Sequence, residues 1–201
     1  MAKLSESRKF VAHYLTQSVA ALLAKAPFIT PNVITWFGFS VALSAAGLIA
    51  TGHLFAAGVV ALLAGFFDML DGALARHTNQ ATRFGALLDS TLDRLSEAVL
   101  LLGILVLNLL RDQITIETLL VCLALIGSFL VSYIRAKAES LDLECQVGLF
   151  TRGERVIVLA LGLLLSQINY ALITALSIIV LLSFITATQR VLHVWKQTRI
   201  R

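Results

Sequence analysis

Long apolar segments separated by short polar breaks run through most of the chain. Segments long enough to cross a hydrocarbon core of about 30 Å lie at 32–51, 54–76, 84–110, 115–138, 154–168 and 170–193. Only the polar cluster around Gln167 separates the last two segments, so five spans are the alternative. The pattern predicts an all-α integral membrane protein with six transmembrane helices.

The first 30 residues have a different pattern. From Ser5 to Ala26 the sequence is amphipathic, and it lacks the isolated hydrophobic core of a cleaved signal peptide. A stretch of this kind is typical of a helix that lies in the membrane interface. We therefore predict one domain over 1–201, with an interfacial helix at 1–30 and a six-helix bundle at 31–201.

Composition supports a membrane protein over a soluble one. The chain is 58% hydrophobic and 14% charged, whereas soluble domains are about 25% charged. The net charge of +4 comes from dispersed basic residues rather than from a basic stripe with aromatics, so nucleic acid is not an expected partner. Cys122 and Cys145 fit neither a disulfide framework nor a zinc pattern.

The distribution of positive charge predicts the orientation of the chain. With six spans and the N-terminus in the cytoplasm, only Arg111 of the 16 Lys and Arg residues falls on the far side. Such a bias is typical of cytoplasmic loops. We expect a multi-pass protein of the cell membrane, with both termini and the acidic residues described next on the cytoplasmic side.

Two pairs of aspartates lie where charge is unfavourable. Asp68 and Asp71 are three residues apart, and Asp89 and Asp93 are four apart, so each pair projects from one face of its helix. Four carboxylates in one pocket would repel one another unless a cation compensated, and all-oxygen ligation favours Mg²⁺ or Mn²⁺ over zinc. The alternative is a set of salt bridges with Arg76, Arg83 and Arg94.

These acids belong to a longer signature. The residues read Asp68-x2-Asp71-Gly72-x2-Ala75-Arg76-x8-Gly85-x3-Asp89-x3-Asp93, and this pattern resembles that of the CDP-alcohol phosphotransferase family. The resemblance extends from about Pro31 to the C-terminal helix. It implies a membrane fold, often homodimeric, in which an alcohol hydroxyl attacks the β-phosphorus of a CDP-linked substrate and CMP leaves.

The resemblance also implies roles for individual residues. Asp68, Asp71 and Asp89 would be metal ligands, and Asp93 would be a ligand or neighbour that also acts as the general base. The CDP group of the donor lipid, expected to be CDP-diacylglycerol, would contact Asn32, Thr35, Gly72, Ala75, Arg76, Thr82 and Gly85.

The segment from Ser132 to Glu139, with the later basic residues, resembles the family branch that uses inositol phosphate. A phosphorylated polyol is therefore the expected acceptor, and phosphatidylinositol phosphate the expected product. Glycerol-3-phosphate, which would give phosphatidylglycerol phosphate, remains an alternative, and a membrane cation transporter is the alternative of another class. The predicted contacts to the acceptor phosphate are Ser132, Arg135, Lys137, Arg152, Arg155 and Arg190.

Overall fold

A computed structural model describes residues 30–78, 80–112 and 116–199, and these ranges contain six α-helices. Each helix lies close to one of the six predicted apolar segments. In chain order the helices are α1 Pro31–Ala50, α2 Leu54–His77, α3 Arg83–Leu110, α4 Ile116–Glu139, α5 Arg152–Leu164 and α6 Ala171–Arg199.

The prediction of six transmembrane helices is wrong. Only α1, α2, α4 and α6 are long and apolar enough to cross a membrane. The chain is thus a multi-pass membrane protein with four candidate spans among its described residues. The predicted interfacial helix at 1–30 lies outside those residues, apart from position 30.

The two remaining helices fail for different physical reasons. Helix α5 has 13 residues, which at 1.5 Å per residue gives a length of about 20 Å, short of the hydrocarbon core. Helix α3 has 28 residues, but it carries five charged side chains between positions 83 and 97. Ionised groups are costly at membrane depth, so the length of α3 was not sufficient evidence for a transmembrane helix. The charges in question are Arg83, Asp89, Asp93, Arg94 and Glu97.

Packing divides the helices into two groups, which are joined by α5 and by contacts between α3 and α4. Helix α1 packs against α2 and α3, α4 packs against α6, and α5 packs against both α2 and α6. Glycine allows two of the closest approaches. A Cβ at Gly103 would lie 2.8 Å from the carbonyl oxygen of Ala46, and one at Gly162 would lie 2.5 Å from Cβ of Ala175. These glycines let α3 approach α1 and α5 approach α6.

The segment 140–151 leads from α4 to α5 and is held by the last helix. Arg190 of α6 donates from Nε to the carbonyl oxygen of Val147 at 2.9 Å, and from Nη1 to that of Val131. Gly148 has φ of 141°, and a Cβ there would lie 2.8 Å from Cγ2 of Thr186. This anchoring brings the start of α5 back towards α2 and α3.

Candidate metal and substrate site

Three of the four predicted aspartates meet where α2 and α3 face each other. Asp68, Asp89 and Asp93 each offer a carboxylate oxygen, and these oxygens lie within 4.8 Å of one another. Asp89 and Asp93 share one face of α3 because they are four residues apart. The three side chains form what we call the carboxylate cluster.

Asp71 lies beside the carboxylate cluster rather than within it. It is 3% exposed, and its Oδ1 accepts from the backbone N–H of Gly72 at 2.6 Å. Its Oδ2 is buried and has no hydrogen-bond partner among the described residues. A buried carboxylate oxygen without a partner is unfavourable. Binding of a cation by Asp71 Oδ2 would remove this cost.

One arginine reaches the carboxylate cluster from α5. Arg152 Nη1 lies 2.6 Å from Asp68 Oδ2 and 2.6 Å from Asp93 Oδ1, although only the contact with Asp68 has hydrogen-bond geometry. The predicted alternative, salt bridges with Arg76, Arg83 and Arg94, therefore named the wrong arginines.

The chemistry of the cluster fits a hard divalent cation. One guanidinium among the aspartates compensates only part of their negative charge, and carboxylates this close repel one another. All the candidate ligand atoms are oxygens, and Asp71 Oδ2 is free to bind. Mg²⁺ and Mn²⁺ prefer such ligands.

A cavity of about 180 Å³ opens beside the cluster, between α1, α2 and the start of α3. We call it the donor cavity. It brings together every residue predicted to contact the CDP group, and its wall also includes Asp71, Gln80 and Asp89. The predicted residues in the wall are Asn32, Thr35, Gly72, Ala75, Arg76, Thr82 and Gly85.

Two of these predicted contacts also shape the start of α3. Thr82 precedes the helix, and its Oγ1 accepts from the backbone N–H of Gly85 at 2.9 Å. A Cβ at Gly85 would lie 3.0 Å from that Oγ1 and 3.2 Å from Oδ1 of Asn32. Thr82 thus acts as a helix cap, a role that the resemblance did not suggest.

A second cavity, of about 460 Å³, lies on the other side of the cluster and is lined by polar and basic residues. We call it the acceptor cavity. Asp89 and Asp93 border it, and so do Ser132, Arg135, Arg152, Arg155 and Arg190. The structure does not bring Lys137 into its wall; that side chain is exposed, two residues beyond Arg135 on α4.

Arg155 is fully engaged in a buried ion pair. It is 1% exposed and donates from Nε to Glu97 Oε1 at 2.6 Å and from Nη2 to Glu97 Oε2 at 2.8 Å. Ser128 donates to the same Oε1 at 2.7 Å. The prediction of Arg155 as a phosphate ligand took no account of this pair. The sequence feature that could have indicated this ion pair is the spacing: Glu97 follows Asp93 by one helical turn, and Arg155 follows Arg152 by one helical turn.

The other predicted basic contacts differ in how free they are. Arg190 is 4% exposed and donates to the backbone carbonyls of Val131 and Val147. Arg135 is exposed and pairs with Glu139 through Nε at 2.8 Å. Exposed ion pairs of this kind are weak, so Arg135 can release its partner far more readily than Arg190 can.

Comparison with known proteins gives consistent results. The family description "CDP-alcohol phosphatidyltransferase" matches residues 28–195. The archaetidylinositol phosphate synthase of Methanothermobacter thermautotrophicus is 39% identical over 170 residues, which cover 84% of each chain. The Mycobacterium tuberculosis phosphatidylinositol phosphate synthase with CDP-DAG bound superposes with a TM-score of 0.83 at 33% identity, over 90% of this chain and 94% of that one. Its complex with manganese and citrate gives 0.82 at 33% identity, over 90% and 88%.

Proposed function

Because the chain belongs to the CDP-alcohol phosphatidyltransferase family, we propose that it transfers the phosphatidyl group of CDP-diacylglycerol to inositol phosphate. CMP is released and phosphatidylinositol phosphate forms. The observation that carries this proposal is the pair of cavities that meet at the carboxylate cluster, with Asp89 in the wall of both. Membership in a family of enzymes sets aside the cation-transporter alternative.

The donor cavity suits a nucleotide head group. Its wall includes exposed Arg76, a cation for the pyrophosphate, and Gly72, which keeps the backbone accessible. Asn32 and Thr35 add hydrogen-bonding groups from α1. The M. tuberculosis synthase of similar fold has been solved with CDP-DAG bound, which supports the same class of donor here.

Asp68, Asp71, Asp89 and Asp93 are the residues that would hold Mg²⁺ or Mn²⁺. A divalent ion at such a site stabilises the negative charge that develops when a phosphoanhydride breaks. Manganese in the solved synthase of similar fold supports a divalent cofactor. Asp71 extends the ligand set towards the donor cavity, whose wall it shares with Asp89.

In the proposed reaction Asp93 takes the proton of the acceptor hydroxyl. It borders the acceptor cavity, whereas the donor cavity has no contact with it among its described wall residues. A carboxylate that serves as a base must lie within hydrogen-bond reach of the attacking group. The attacking alcohol therefore enters from the acceptor cavity and meets the donor at Asp89.

The acceptor cavity favours an alcohol that carries a phosphate. Arg135 and Arg152 supply guanidinium groups, which match phosphate oxygens in geometry and charge. Ser132 adds a hydroxyl for a polyol. The relatives described above are named as synthases of inositol phosphate lipids, which supports inositol phosphate over glycerol-3-phosphate.

The same charges support a cytoplasmic site in the cell membrane. Basic residues gather at the cluster end of the helices, whereas Arg111 lies at the opposite end of α3, and positive residues concentrate on the cytoplasmic side of membrane proteins. A single cysteine placed at exposed Lys137, after both native cysteines are replaced, should react with an impermeant maleimide only from the cytoplasmic side. Labelling from outside intact cells would contradict this orientation.

The function is tested with purified protein, CDP-diacylglycerol and Mg²⁺. Inositol phosphate, glycerol-3-phosphate and free inositol are supplied in parallel, and the lipid product is identified by mass spectrometry. We expect CMP release and phosphatidylinositol phosphate with inositol phosphate, and loss of both when EDTA removes the metal. Product from glycerol-3-phosphate alone would overturn the acceptor, and absence of CMP release with every acceptor would overturn the function.

A further inference from the structure

Two ion pairs, one helical turn apart, join α3 to α5. Asp93 contacts Arg152, and Glu97 contacts Arg155. The two acids are four residues apart on α3 and the two arginines three apart on α5, so each pair of side chains projects from one face of its helix. The outer ion pair lies at the carboxylate cluster and the inner one lies deeper between the helices.

Side chains rather than backbone packing connect these helices. Helix α5 packs against α2 and α6, and its backbone hardly approaches that of α3 in the part of the chain that the structure describes. The short α5 also cannot be positioned by spanning the membrane. The ion pairs are therefore the direct link between α5 and the aspartates of α3 among the described residues.

The inner ion pair has the geometry of a rigid link. Glu97 is 5% exposed and Arg155 is 1% exposed, and two parallel hydrogen bonds fix the orientation of both groups. Ser128 of α4 donates to Glu97 Oε1, so three helices meet at one carboxylate. Removing either charged partner would leave a buried charge uncompensated, which is strongly unfavourable.

We propose that Glu97, Ser128 and Arg155 are positioning residues that hold Arg152 at the acceptor cavity. The inference rests on the proposed function, in which Arg152 meets the acceptor phosphate. Arg155 thereby acts through its neighbour on α5 and touches no substrate. The donor cavity is lined by α1, α2, the segment between α2 and α3, and the start of α3, so loosening α5 affects one substrate and spares the other.

This separation distinguishes positioning from a general contribution to stability. A residue that only stabilises the fold lowers the melting temperature but leaves the KM values of the folded protein unchanged. A residue that positions Arg152 raises the KM for inositol phosphate and leaves the KM for CDP-diacylglycerol unchanged. Both KM values and the melting temperature are measured on the same detergent-purified protein.

The principal variant is Glu97→Gln, which keeps the shape of the side chain and removes its charge. Ser128→Ala is the milder variant, and Thr118→Val is its matched control. Thr118 is also on α4, and its hydroxyl accepts from buried Asn108 Nδ2 at 3.5 Å. This contact lies near the end of α3 that is opposite the carboxylate cluster. The two α4 variants each remove one hydroxyl that contacts α3.

We expect Glu97→Gln to raise the KM for inositol phosphate about tenfold, at the lower end of the effect of residues that orient a site through others. Ser128→Ala should raise it less, about threefold, because Arg155 keeps both of its hydrogen bonds to Glu97 when the Ser128 bond is lost. Thr118→Val should leave it unchanged, and all three should keep the KM for CDP-diacylglycerol.

An active protein in which Ser128→Ala matches Thr118→Val, or in which both KM values rise together, would overturn the inference alone. If Glu97→Gln does not yield folded protein, the comparison of the two α4 variants decides. Failure of the unsubstituted protein to release CMP would overturn the proposed function, and this inference with it.

Discussion

The donor cavity and the acceptor cavity are built in different ways. The donor cavity takes its wall from two stretches of the sequence, 31–35 at the start of α1 and 71–89 around the α2–α3 junction. The acceptor cavity draws on α3, α4, α5 and α6, and most of its basic residues already contact other groups of the protein. Donor recognition thus rests on the first three helices, whereas acceptor recognition depends on ion pairs and hydrogen bonds that join four.

This difference suggests how the donor cavity and the acceptor cavity, the two half-sites, respond to substitutions. A substitution in the donor cavity acts on close neighbours from the start of α1 and the α2–α3 junction, as at Gly85, where a Cβ would meet Thr82 and Asn32. In the acceptor cavity, Arg152 links α5 to α2 and α3, so its substitution affects groups on all three helices. The predictions below separate the two substrates by measuring KM for each.

The largest expected effect is that of Asp93→Asn. The substitution keeps the side-chain shape but removes the base, and such bases contribute about 10²- to 10⁴-fold to a rate. We expect kcat to fall about 1,000-fold, with binding of CDP-diacylglycerol largely retained because the donor cavity does not include Asp93. Turnover and equilibrium binding of the lipid are measured on the same preparation.

The control for this substitution is Asp112→Asn at the opposite end of α3, where the residue is exposed. It should retain full activity, and asparagine accepts the positive φ of 54° found there. Retained turnover in Asp93→Asn would remove Asp93 as the base. Loss of donor binding would show that the two half-sites are not separate.

A second prediction contrasts two neighbouring cations of α4. Arg135 borders the acceptor cavity, and Lys137 lies outside it. Arg135→Gln should raise the KM for inositol phosphate about tenfold, because a hydrogen bond to a charged group contributes about 1.5–3 kcal/mol. Lys137→Gln should leave it unchanged. Equal effects of the two substitutions on initial rates would mean that general positive charge, rather than the cavity, attracts the acceptor.

A third prediction concerns crowding in the donor cavity. Gly85→Ala places a methyl group 3.0 Å from Thr82 Oγ1 and 3.2 Å from Asn32 Oδ1, so both groups must shift. We expect the KM for CDP-diacylglycerol to rise about fivefold, since small displacements of binding groups are costly. Gly47→Ala on α1, where the methyl would meet nothing within 4 Å, is the control. An unchanged donor KM in Gly85→Ala would argue against a close contact with the lipid head group.

The contrast between cavities also explains what the sequence could predict. The signature from Asp68 to Asp93 fixes residues three or four apart on two helices, and helical periodicity alone brings such residues together. The donor cavity also contains Asn32, Thr35 and Thr82, which lie outside this signature and were predicted from the family resemblance alone. Spacing cannot show which arginine of a distant helix contacts Asp68 and Asp93. Their partner is Arg152, 84 positions along the chain from Asp68.

The same limit applies to the membrane spans. Apolar segments predicted the six helices well, because hydrophobicity of a segment is a local property. The number of spans was wrong because α5 ends at Leu164, which leaves it short, and because the charges of α3 serve a polar site between helices rather than facing lipid. Neither the end of a helix nor the direction of its charged face follows from composition.

The smallest expected effects come from the two threonines that precede α3 and α5, and they compare the cavities most directly. Thr82 Oγ1 accepts from the backbone N–H of Gly85 in the donor cavity, and Thr151 Oγ1 donates to Glu154 Oε2 beside the acceptor cavity. Each threonine-to-alanine substitution should destabilise its helix by about 1 kcal/mol, seen as a fall of about 2–4 °C in melting temperature.

The two variants serve as controls for each other because the chemical change is the same. Thr82→Ala should raise only the KM for CDP-diacylglycerol, and Thr151→Ala only that for inositol phosphate, each by about twofold, since most of a capping loss falls on the helix and not on the ligand. The reason is that α3 begins inside the donor cavity, while α5 begins with Arg152. A shared shift in both KM values would mean that the helix starts move together, and the two half-sites would then be one mechanical unit.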